Sequence, residues 1–299
     1  MTDPPFDIPF KSPHIPAALS ADTRIRFRCY KGISCFNACC RQADVTLAPY
    51  DILRLKRRLG LSSSELLNQY TVPFQMDQDG LPGVKLKTRD DGTCLQLDGE
   101  AGCGVYEDRP TVCRYYPVAL LTLREKGSSQ AEERYALVKE DHCKGHEEDR
   151  QIRVGDFRAE QGCAEYDQRN REWYRLILKK RSAGPAVGKP PPVSLKLFFM
   201  ASYDVDNFRH FVLSDGFRRT YVLPDGLYAR LEGDDEALLS FGYRFLRQVL
   251  FGERTIEEVA NAWAQRVENR RQVWEARRQA ERERRMAEED RKYQDGRDT

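Results

Sequence analysis

The hydrophobic and polar positions near the start of the chain predict a pair of short helices. Apolar residues at helical spacing run through 52–59, with Thr46 as a candidate N-cap and Pro49 in the first turn. Gly60 follows them, at the place where a glycine ends a helix in the left-handed conformation. Ser62 opens the next helix, SSELLNQY, as the first member of an S-x-x-E capping box.

Alternating apolar and polar positions, separated by Asp-Gly turn signals, predict short β-strands further along the chain. Asp108 and Pro110 are typical of a helix start, so Cys113 should lie on a short helical turn. A long helix is predicted from Phe157 to Lys180. The strand segments are GVKLKT (83–88), CLQL (94–97) and a hairpin of VALLTL (118–123) with RYALVKE (134–140).

The second half of the chain predicts mostly helices. After a Pro- and Gly-rich linker, the sequence up to residue 254 is rich in Phe, Tyr and Leu at helical spacing. From Thr255 onwards the pattern predicts one long helix, whose apolar stripe stops at Trp274 and whose remainder is nearly all charge of both signs. We expect the stripe to pack on the second, mainly helical domain, with self-association as a coiled coil through Trp263 and Trp274 as the lesser option.

These elements predict an α+β fold. A small, irregular, cysteine-rich domain with short strands and helices is followed by a mainly helical region and a long charged C-terminal helix. The predicted organisation is an extended arm at 1–24, the cysteine-rich domain at 25–181, a linker at 182–192, the helical region at 193–254 and the charged helix at 255–299.

Composition narrows the classes of partner. The 49 basic and 47 acidic residues leave a formal net charge of +2, so a general attraction to nucleic acid is not expected. No apolar stretch is long enough to span a membrane, and the first residues lack the pattern of a secretory signal. We therefore expect a cytoplasmic protein, whose thiols stay reduced.

Nine cysteines all lie within the first 163 residues, and an odd number of thiols in a reducing compartment argues against a disulfide framework. The first group places four thiols within twelve residues, a density that core packing rarely needs. Its members are Cys29, Cys35, Cys39 and Cys40. We expect this group to bind metal.

The second group is Cys94, Cys103 and Cys113. A strand start, a Gly-flanked turn and a helix start are positions where backbone amides can donate to sulfur and stabilise a thiolate. Arg109 and Arg114 lie nearby in sequence, either paired with Glu107 or Asp108 at the surface or acting at the thiol cluster.

Zinc usually takes four ligands from two short C-x2-4-C pairs, and this sequence has no C-x2-C pair. Adjacent cysteines such as Cys39 and Cys40 fit one tetrahedral site poorly, and seven thiols exceed its needs. These features favour iron, as an iron–sulfur or other polynuclear centre, with zinc as the alternative.

A third, looser group contains Cys143 with His142 and His146, followed by Cys163. Cys143 is a candidate metal ligand. The two histidines are better explained as surface or capping residues. Cys163 falls on the apolar side of a predicted helix, where packing explains it better than ligation.

Together, CYKGISCFNACC, the helix TLAPYDILRLKRRLGL and the segment CGVYEDRPTVCRYYP resemble the YkgJ-like cysteine-cluster proteins, a family described as a zinc- or iron-chelating domain. The resemblance spans about residues 25–145. It implies that both groups, Cys29 through Cys113, form the metal-binding set. Cys29 and Cys35 are separated by five residues, whereas the common form of the family begins C-x2-C-x2-CC.

The resemblance leaves the activity open. One branch of the family contains flagellin lysine N-methylases, which suggests a redox or protein-modifying role, but no glycine-rich loop for S-adenosylmethionine is evident. Common hydrolase and nucleotide-binding motifs are also absent. The alternative is a structural-zinc module whose charged C-terminal helix recruits a protein partner.

Overall fold

The computed structural model describes residues 18–41, 43–124, 131–183 and 190–262, together with scattered positions between 264 and 286. Two compact units are formed, one by Met1–His210 with Ala229–Thr255 and the other by Phe211–Tyr228 with Ile256–Thr299. Helices alternate with short strands in small sheets, which confirms the α+β class.

The strands of the first unit form four small antiparallel sheets. β2, β4 and β3 form a three-stranded sheet in that order, while β1 pairs with β9, β5 with β6, and β7 with β8. The strands are β1 (Arg24–Arg26), β2 (Thr46–Leu47), β3 (Thr71–Gln75), β4 (Pro82–Leu86), β5 (Leu97–Asp98), β6 (Gly102–Cys103), β7 (Val118–Arg124), β8 (Ala131–Leu137) and β9 (Gln151–Arg153). The predicted hairpin is therefore confirmed as β7–β8.

The helices lie between and after these sheets. They are α1 (Pro49–Leu59), α2 (Ser63–Tyr70), α3 (Thr111–Tyr115), α4 (Val154–Glu160), α5 (Cys163–Ala183), α6 (Pro192–Ser202), α7 (Val205–Leu213), α8 (Asp215–Arg218), α9 (Leu227–Gly233) and α10 (Asp235–Phe251). The region from α6 to α10 is mainly helical, as predicted. None of the helices in the described part of the chain is both long and apolar enough to cross a membrane.

The first helix begins and ends close to its predicted limits, but its cap differs. Gly60 ends α1 with φ of 66°, the left-handed conformation that glycine adopts without strain. Thr46, the predicted N-cap, lies in β2 instead. The capping acceptor is the side chain of Asp51, whose Oδ2 accepts from the Ala48 N–H at 2.8 Å.

Asp51 also joins α1 to α3. Its Oδ1 accepts from the Thr111 N–H at 2.9 Å and from the Thr111 hydroxyl at 2.7 Å. Asp51 is fully buried, and burial raises its pKa to about 6 although these donors favour the carboxylate. One buried carboxyl group thus fixes the starts of two helices.

Asp108 was predicted to lie at the start of α3, but it does not cap that helix. The N-cap of α3 is Pro110, and Asp108 instead lies in a preceding 3-10 turn. Its carboxylate pairs with Arg54 of α1 at 2.6 Å. The acidic residue therefore makes a second tie between α1 and the segment that carries Cys113.

The predicted helix from Phe157 to Lys180 is two helices. Gly162, with φ of 65°, separates α4 from α5, because that conformation cannot continue a right-handed helix. The Gln161 carbonyl at the break accepts from Arg114 Nη1 at 2.8 Å. The break therefore gives the buried arginine an acceptor that an unbroken helix would have used internally.

The helical region packs α10 against both α5 and α6. Gly242 allows the close approach to α6, since a Cβ there would lie 3.1 Å from the Ala201 carbonyl oxygen. Phe198, Phe208 and Phe245 are fully buried at this packing. The aromatic residues of this region thus form a core rather than a reactive site.

The prediction that one helix starts at Thr255 is wrong. α10 ends at Gly252 with φ of 68°, and residues Glu257–Glu258 form a strand, β11, antiparallel to β10 (Tyr221–Val222). The Val259 N–H also donates to Thr220 O at 2.9 Å, so these residues pair across strands. The rest of the predicted charged helix and coiled coil lies largely outside the described residues.

We expect Asp51→Asn to destabilise the first unit by about 1–3 kcal/mol, because one buried N–H would face an amide N–H₂ instead of an acceptor. Urea unfolding followed by circular dichroism measures this difference. The matched control is Glu65→Gln, since Glu65 makes the same reach-back bond to an N-cap N–H, from Ser62, but is exposed. An equal effect of the two substitutions would contradict the role given to Asp51.

Candidate metal centre

The first cysteine segment, between β1 and β2, is tied to residues far along the chain. The Arg28 N–H donates to the Gly145 carbonyl at 3.0 Å. The Lys144 N–H donates to the sulfur of Cys35 at 3.2 Å. These bonds bring Cys143 beside the first cysteine group.

Gly145 is required for this approach. A Cβ at this position would lie 2.5 Å from the ring of Phe27 and 2.9 Å from the carbonyl oxygen of Arg28. Both distances are shorter than van der Waals contact. A side chain at Gly145 would therefore push the turn that carries Cys143 away from the first cysteine segment.

The end of the first segment is tied to the second cysteine group. Residues Ala38–Cys40 form a 3-10 turn that follows Asn37, which has φ of 66°. The Asn37 side-chain amide donates to Gly99 O at 3.3 Å, and the Cys94 N–H donates to Cys40 O at 2.9 Å. These two hydrogen bonds hold the end of the first cysteine segment beside the second cysteine group.

The adjacent thiols of Cys39 and Cys40 hydrogen-bond to each other. This bond lowers the pKa of Cys39 to about 7, against the opposing effect of burial. The same bond, together with burial, raises the pKa of Cys40 far above its ordinary value. Cys39 is the exposed member of the pair.

The second group lies on a small hairpin and the short helix after it. Cys103 lies in β6 opposite Leu97 of β5, and Cys94 precedes that hairpin. Cys113 lies on α3, as predicted, and its position depends on the bonds from Thr111 to Asp51. The hairpin and α1 together therefore position all three thiols.

Backbone amides donate to several of the sulfurs. The donors lie two residues after the cysteine in three cases: Gln96 for Cys94, Val105 for Cys103 and Gly145 for Cys143. Burial raises the pKa of each of these thiols, and the amide donor partly offsets the rise. Amide donors to sulfur are the usual surroundings of thiolate metal ligands, so the pattern fits metal binding.

Eight thiols converge in one region, and their charges would interact. Burial, followed by the charges of three other thiols, raises the pKa of Cys29 to about 11. Cys113 has its pKa raised by burial and then by its thiol neighbours. The converging residues are Cys29, Cys35, Cys39, Cys40, Cys94, Cys103, Cys113 and Cys143.

The sulfurs lie near one another but do not surround a common centre at metal-ligand distances. Within the described part of the chain, no three Cys, His, Asp or Glu side chains already have the spacing of a ligated ion. The residue types nevertheless fit a metal that prefers thiolates, since eight thiols and their amide donors share one region. These eight residues would hold the metal.

Cys163 does not join the other thiols. It is fully buried in a core cluster with Phe157 and Tyr115. Burial, followed by the charge of Asp167, raises its pKa to about 12. The structure therefore places Cys163 in the core, as its position on the helix indicated.

The two histidines near Cys143 have different surroundings. His146 Nε2 lies 3.1 Å from Val138 O, and its ring packs against Phe27. His142 stacks on Tyr116 with an interplanar angle of 6°, and its Nε2 lies 3.5 Å from a Glu140 carboxylate oxygen. His146 therefore lies against Phe27 and the Val138 carbonyl, while His142 lies in a polar group at the edge of the thiol cluster.

Arg109 and Arg114 are buried and do not pair with the carboxylates of Glu107 or Asp108. Arg114 donates to the backbone carbonyls of Arg109, Glu107 and Gln161, and to the Tyr166 hydroxyl. It thereby fixes the backbone on both sides of Cys113. The alternative that the arginines pair with Glu107 or Asp108 at the surface is therefore wrong. Arg114 is buried because it serves these backbone carbonyls.

Arg109, unlike Arg114, acts directly on a thiol of the second group through its charge. Its guanidinium stacks 4.0 Å over the Tyr106 ring and donates to Gln161 Oε1 at 2.6 Å. Its positive charge also acts to lower the pKa of Cys103, against the larger effect of burial. Sequence reasoning missed Asp51, whose role depends on Thr111, 60 residues away in sequence.

Comparison with known families gives one match. Residues 28–144 match a family described as "CxxCxxCC: Putative zinc- or iron-chelating domain". Neither a curated protein nor a solved structure gives a significant match to the chain. The matched segment contains all eight converging thiols and ends before Cys163.

We expect Gly145→Ala to separate Cys143 from Cys35 and to cost about 1–3 kcal/mol, because the new methyl group overlaps the ring of Phe27 and a backbone oxygen. Thermal unfolding and the metal content of the purified protein measure the two effects. The matched control is Gly104→Ala, next to Cys103, where a Cβ would meet nothing closer than 3.5 Å. Unchanged metal content in the Gly145 variant would argue against this role.

Proposed function

The chain carries a zinc- or iron-chelating domain of the YkgJ-like cysteine-cluster family at residues 28–144, and from this premise we propose that its thiols bind iron in a redox-active centre. The observation that carries the proposal is the convergence of eight thiols from separate parts of this segment. Cys163, the one cysteine outside the segment, stays apart.

Thiolate ligation is supported by the surroundings of the sulfurs. Burial keeps most of these thiols protonated at neutral pH, and a bound cation favours the thiolate. The amide donors at Cys94, Cys103 and Cys143 lower the cost of that charge. Ligation requires the sulfurs to turn towards a common centre, and the exposed turn of Cys39 leaves room for this.

Iron is favoured over zinc by the number and accessibility of the thiols. One structural zinc site is saturated by four ligands, whereas eight thiols suit a polynuclear centre. Cys29 and Cys39 are exposed, so electrons can be exchanged with a partner at the surface. Iron supplies the one-electron chemistry, and the residues around it set the potential through charge and hydrogen bonds.

The alternative is a structural-zinc module that recruits a protein partner. It uses the same thiols but needs no change of oxidation state. The segment proposed to recruit the partner lies largely outside the described residues. The two proposals therefore differ in the metal and in the behaviour of the protein on reduction.

The test is anaerobic purification followed by analysis of iron, zinc and acid-labile sulfide. We expect a coloured protein that contains iron and whose absorbance bleaches reversibly on reduction. A colourless protein with zinc alone would overturn the iron proposal and support the structural alternative. A protein that retains no metal under these conditions would overturn both.

Single substitutions identify the ligands. We expect Cys113→Ala to lose most of the bound metal, because Cys113 lies among the converging thiols on α3. Cys163→Ala is the matched control, since it removes another thiol with a raised pKa that belongs to the core. We expect it to lower the melting temperature while the metal content is unchanged. Equal loss of metal in both variants would contradict this ligand set.

A further inference from the structure

The side chain of Tyr116 lies between two segments that carry thiols. Tyr116 directly follows α3, the helix of Cys113, and its backbone N–H caps the end of that helix. Its hydroxyl reaches the side chains of Glu140 and His142, which precede Cys143 along the chain. Tyr116 therefore connects the helix of one candidate ligand to the turn that carries another.

Two side chains of that turn contact the same phenol. The turn at 140–143 is closed by a backbone hydrogen bond from the Cys143 N–H to the Glu140 carbonyl at 2.9 Å. The Tyr116 hydroxyl donates to Glu140 Oε2 at 2.7 Å and lies 3.4 Å from His142 Nε2. The rings of Tyr116 and His142 also stack, with an interplanar angle of 6°. A single tyrosine thus holds the turn at two points.

The β7–β8 hairpin fixes the register of this contact. Val118 of β7 lies opposite Leu137 of β8, and the Val138 N–H donates to the Pro117 carbonyl at 2.7 Å. This bond continues the antiparallel pairing to the residues just outside the strands. Tyr116 is thereby placed beside the start of the turn.

The hydroxyl of Tyr116 also contacts the sulfur of Cys143. Their hydrogen bond acts to lower the pKa of that thiol, against the larger effect of burial. On its other side, the turn is fixed by the bond from the Lys144 N–H to the sulfur of Cys35 at 3.2 Å. Cys143 is therefore held beside the first cysteine segment through the backbone and beside α3 through Tyr116.

The hydroxyl has one proton for two acceptors. Glu140 is half exposed and lies 3.5 Å from His142 Nε2, so water and the histidine also serve its carboxylate. The sulfur of Cys143 is less exposed and is also served by the Gly145 N–H. Ligation of Cys143 as a thiolate leaves a charged sulfur as an acceptor for the phenol O–H. Loss of the hydroxyl therefore affects the sulfur as well as the turn.

We propose that Tyr116 is a positioning residue of the metal centre, which keeps the turn of Cys143 beside the helix of Cys113 and donates a hydrogen bond to the ligating sulfur of Cys143. This inference rests on the proposed function, since it assigns a further residue to the same centre. A hydrogen bond to a metal ligand orients it and stabilises its charge, and its loss typically weakens metal binding about 10- to 100-fold.

The test measures the affinity of the full-length protein for Zn²⁺ under reducing, oxygen-free conditions, by competition with a chromophoric chelator. We expect Tyr116→Phe to weaken the binding of Zn²⁺ by about 10-fold or more. Tyr115→Phe is the matched control, because the hydroxyl of this preceding residue donates to Asp167 in the core at 2.7 Å. We expect the control to lower the melting temperature and to leave the affinity for Zn²⁺ unchanged.

A double-mutant cycle separates positioning from a general loss of stability. Cys143→Ala removes the sulfur on which Tyr116 acts, so Tyr116→Phe should have no further effect on the Zn²⁺ affinity in that background. Circular dichroism checks that each variant is folded. Equal effects of Tyr116→Phe in the two backgrounds would show that it acts through stability alone and would overturn the inference.

Co²⁺ in place of Zn²⁺ adds a spectroscopic signature, since the intensity of the thiolate-to-Co²⁺ charge-transfer absorption follows the number of thiolate ligands. At the same Co²⁺ concentration, we expect Tyr116→Phe to lower this intensity towards that of Cys143→Ala. Tyr115→Phe should keep the intensity of the wild type. Wild-type intensity in the Tyr116→Phe variant would contradict the proposed role.

The outcomes separate this inference from the proposed function. A wild-type protein that binds neither iron nor Zn²⁺ would overturn both. Metal binding that is unchanged by Tyr116→Phe would overturn the inference alone, while thiolate ligation stands. If Tyr116→Phe is unfolded, His142→Ala decides, because this exposed ring stacks on the phenol. It should weaken Zn²⁺ binding in the wild type but not in the Cys143→Ala background, and any other result would overturn the inference.

Discussion

The buried carboxyl group of Asp51 is the constraint on which the arrangement of this domain depends. Three donors on two helices converge on its two oxygens, so the start of α1 and the start of α3 cannot move independently. Arg114, next to Cys113, plays a similar part: its guanidinium donates to the backbone carbonyls of Arg109 and Gln161 and so joins two separate segments. Buried polar groups of this kind are costly unless every partner is in place, and so they specify one geometry.

The thiols lie where this framework is least regular. The two cysteine groups occupy turns, a hairpin of two-residue strands and one short helix. Their stability comes from the helices behind them and from bonds between segments. Because the helices are fixed by buried polar groups and the thiols lie on irregular turns, the sulfurs can turn towards an ion without disturbing the helices. Binding residues are often carried in this way, on loops that a rigid scaffold positions.

Sequence reasoning identified the local features and missed the distant ones. The hairpin β7–β8, the end of α1 at Gly60 and the place of Cys113 on a helical turn follow from propensities and turn signals that act within a few residues. The same signals failed for the helix predicted from Thr255, because pairing with β10 overrides them. The roles of Asp51 and Arg114 could not be predicted either, since each depends on which backbone groups the fold buries beside it. The ligand set itself stays a prediction, although its eight members converge.

The tie between the turn of Cys143 and the first cysteine segment has a further consequence. Lys144 and Cys35 are 109 residues apart in sequence, and Gly145 permits their approach. An ion bound by both Cys35 and Cys143 would cross-link these two segments as a disulfide does. The loop closed in this way would include nearly the whole cysteine-rich domain. By the chain-entropy argument used for disulfides, closing a loop of about 100 residues is worth on the order of 4–5 kcal/mol. The resistance of the domain to proteolysis would then depend on whether metal is bound.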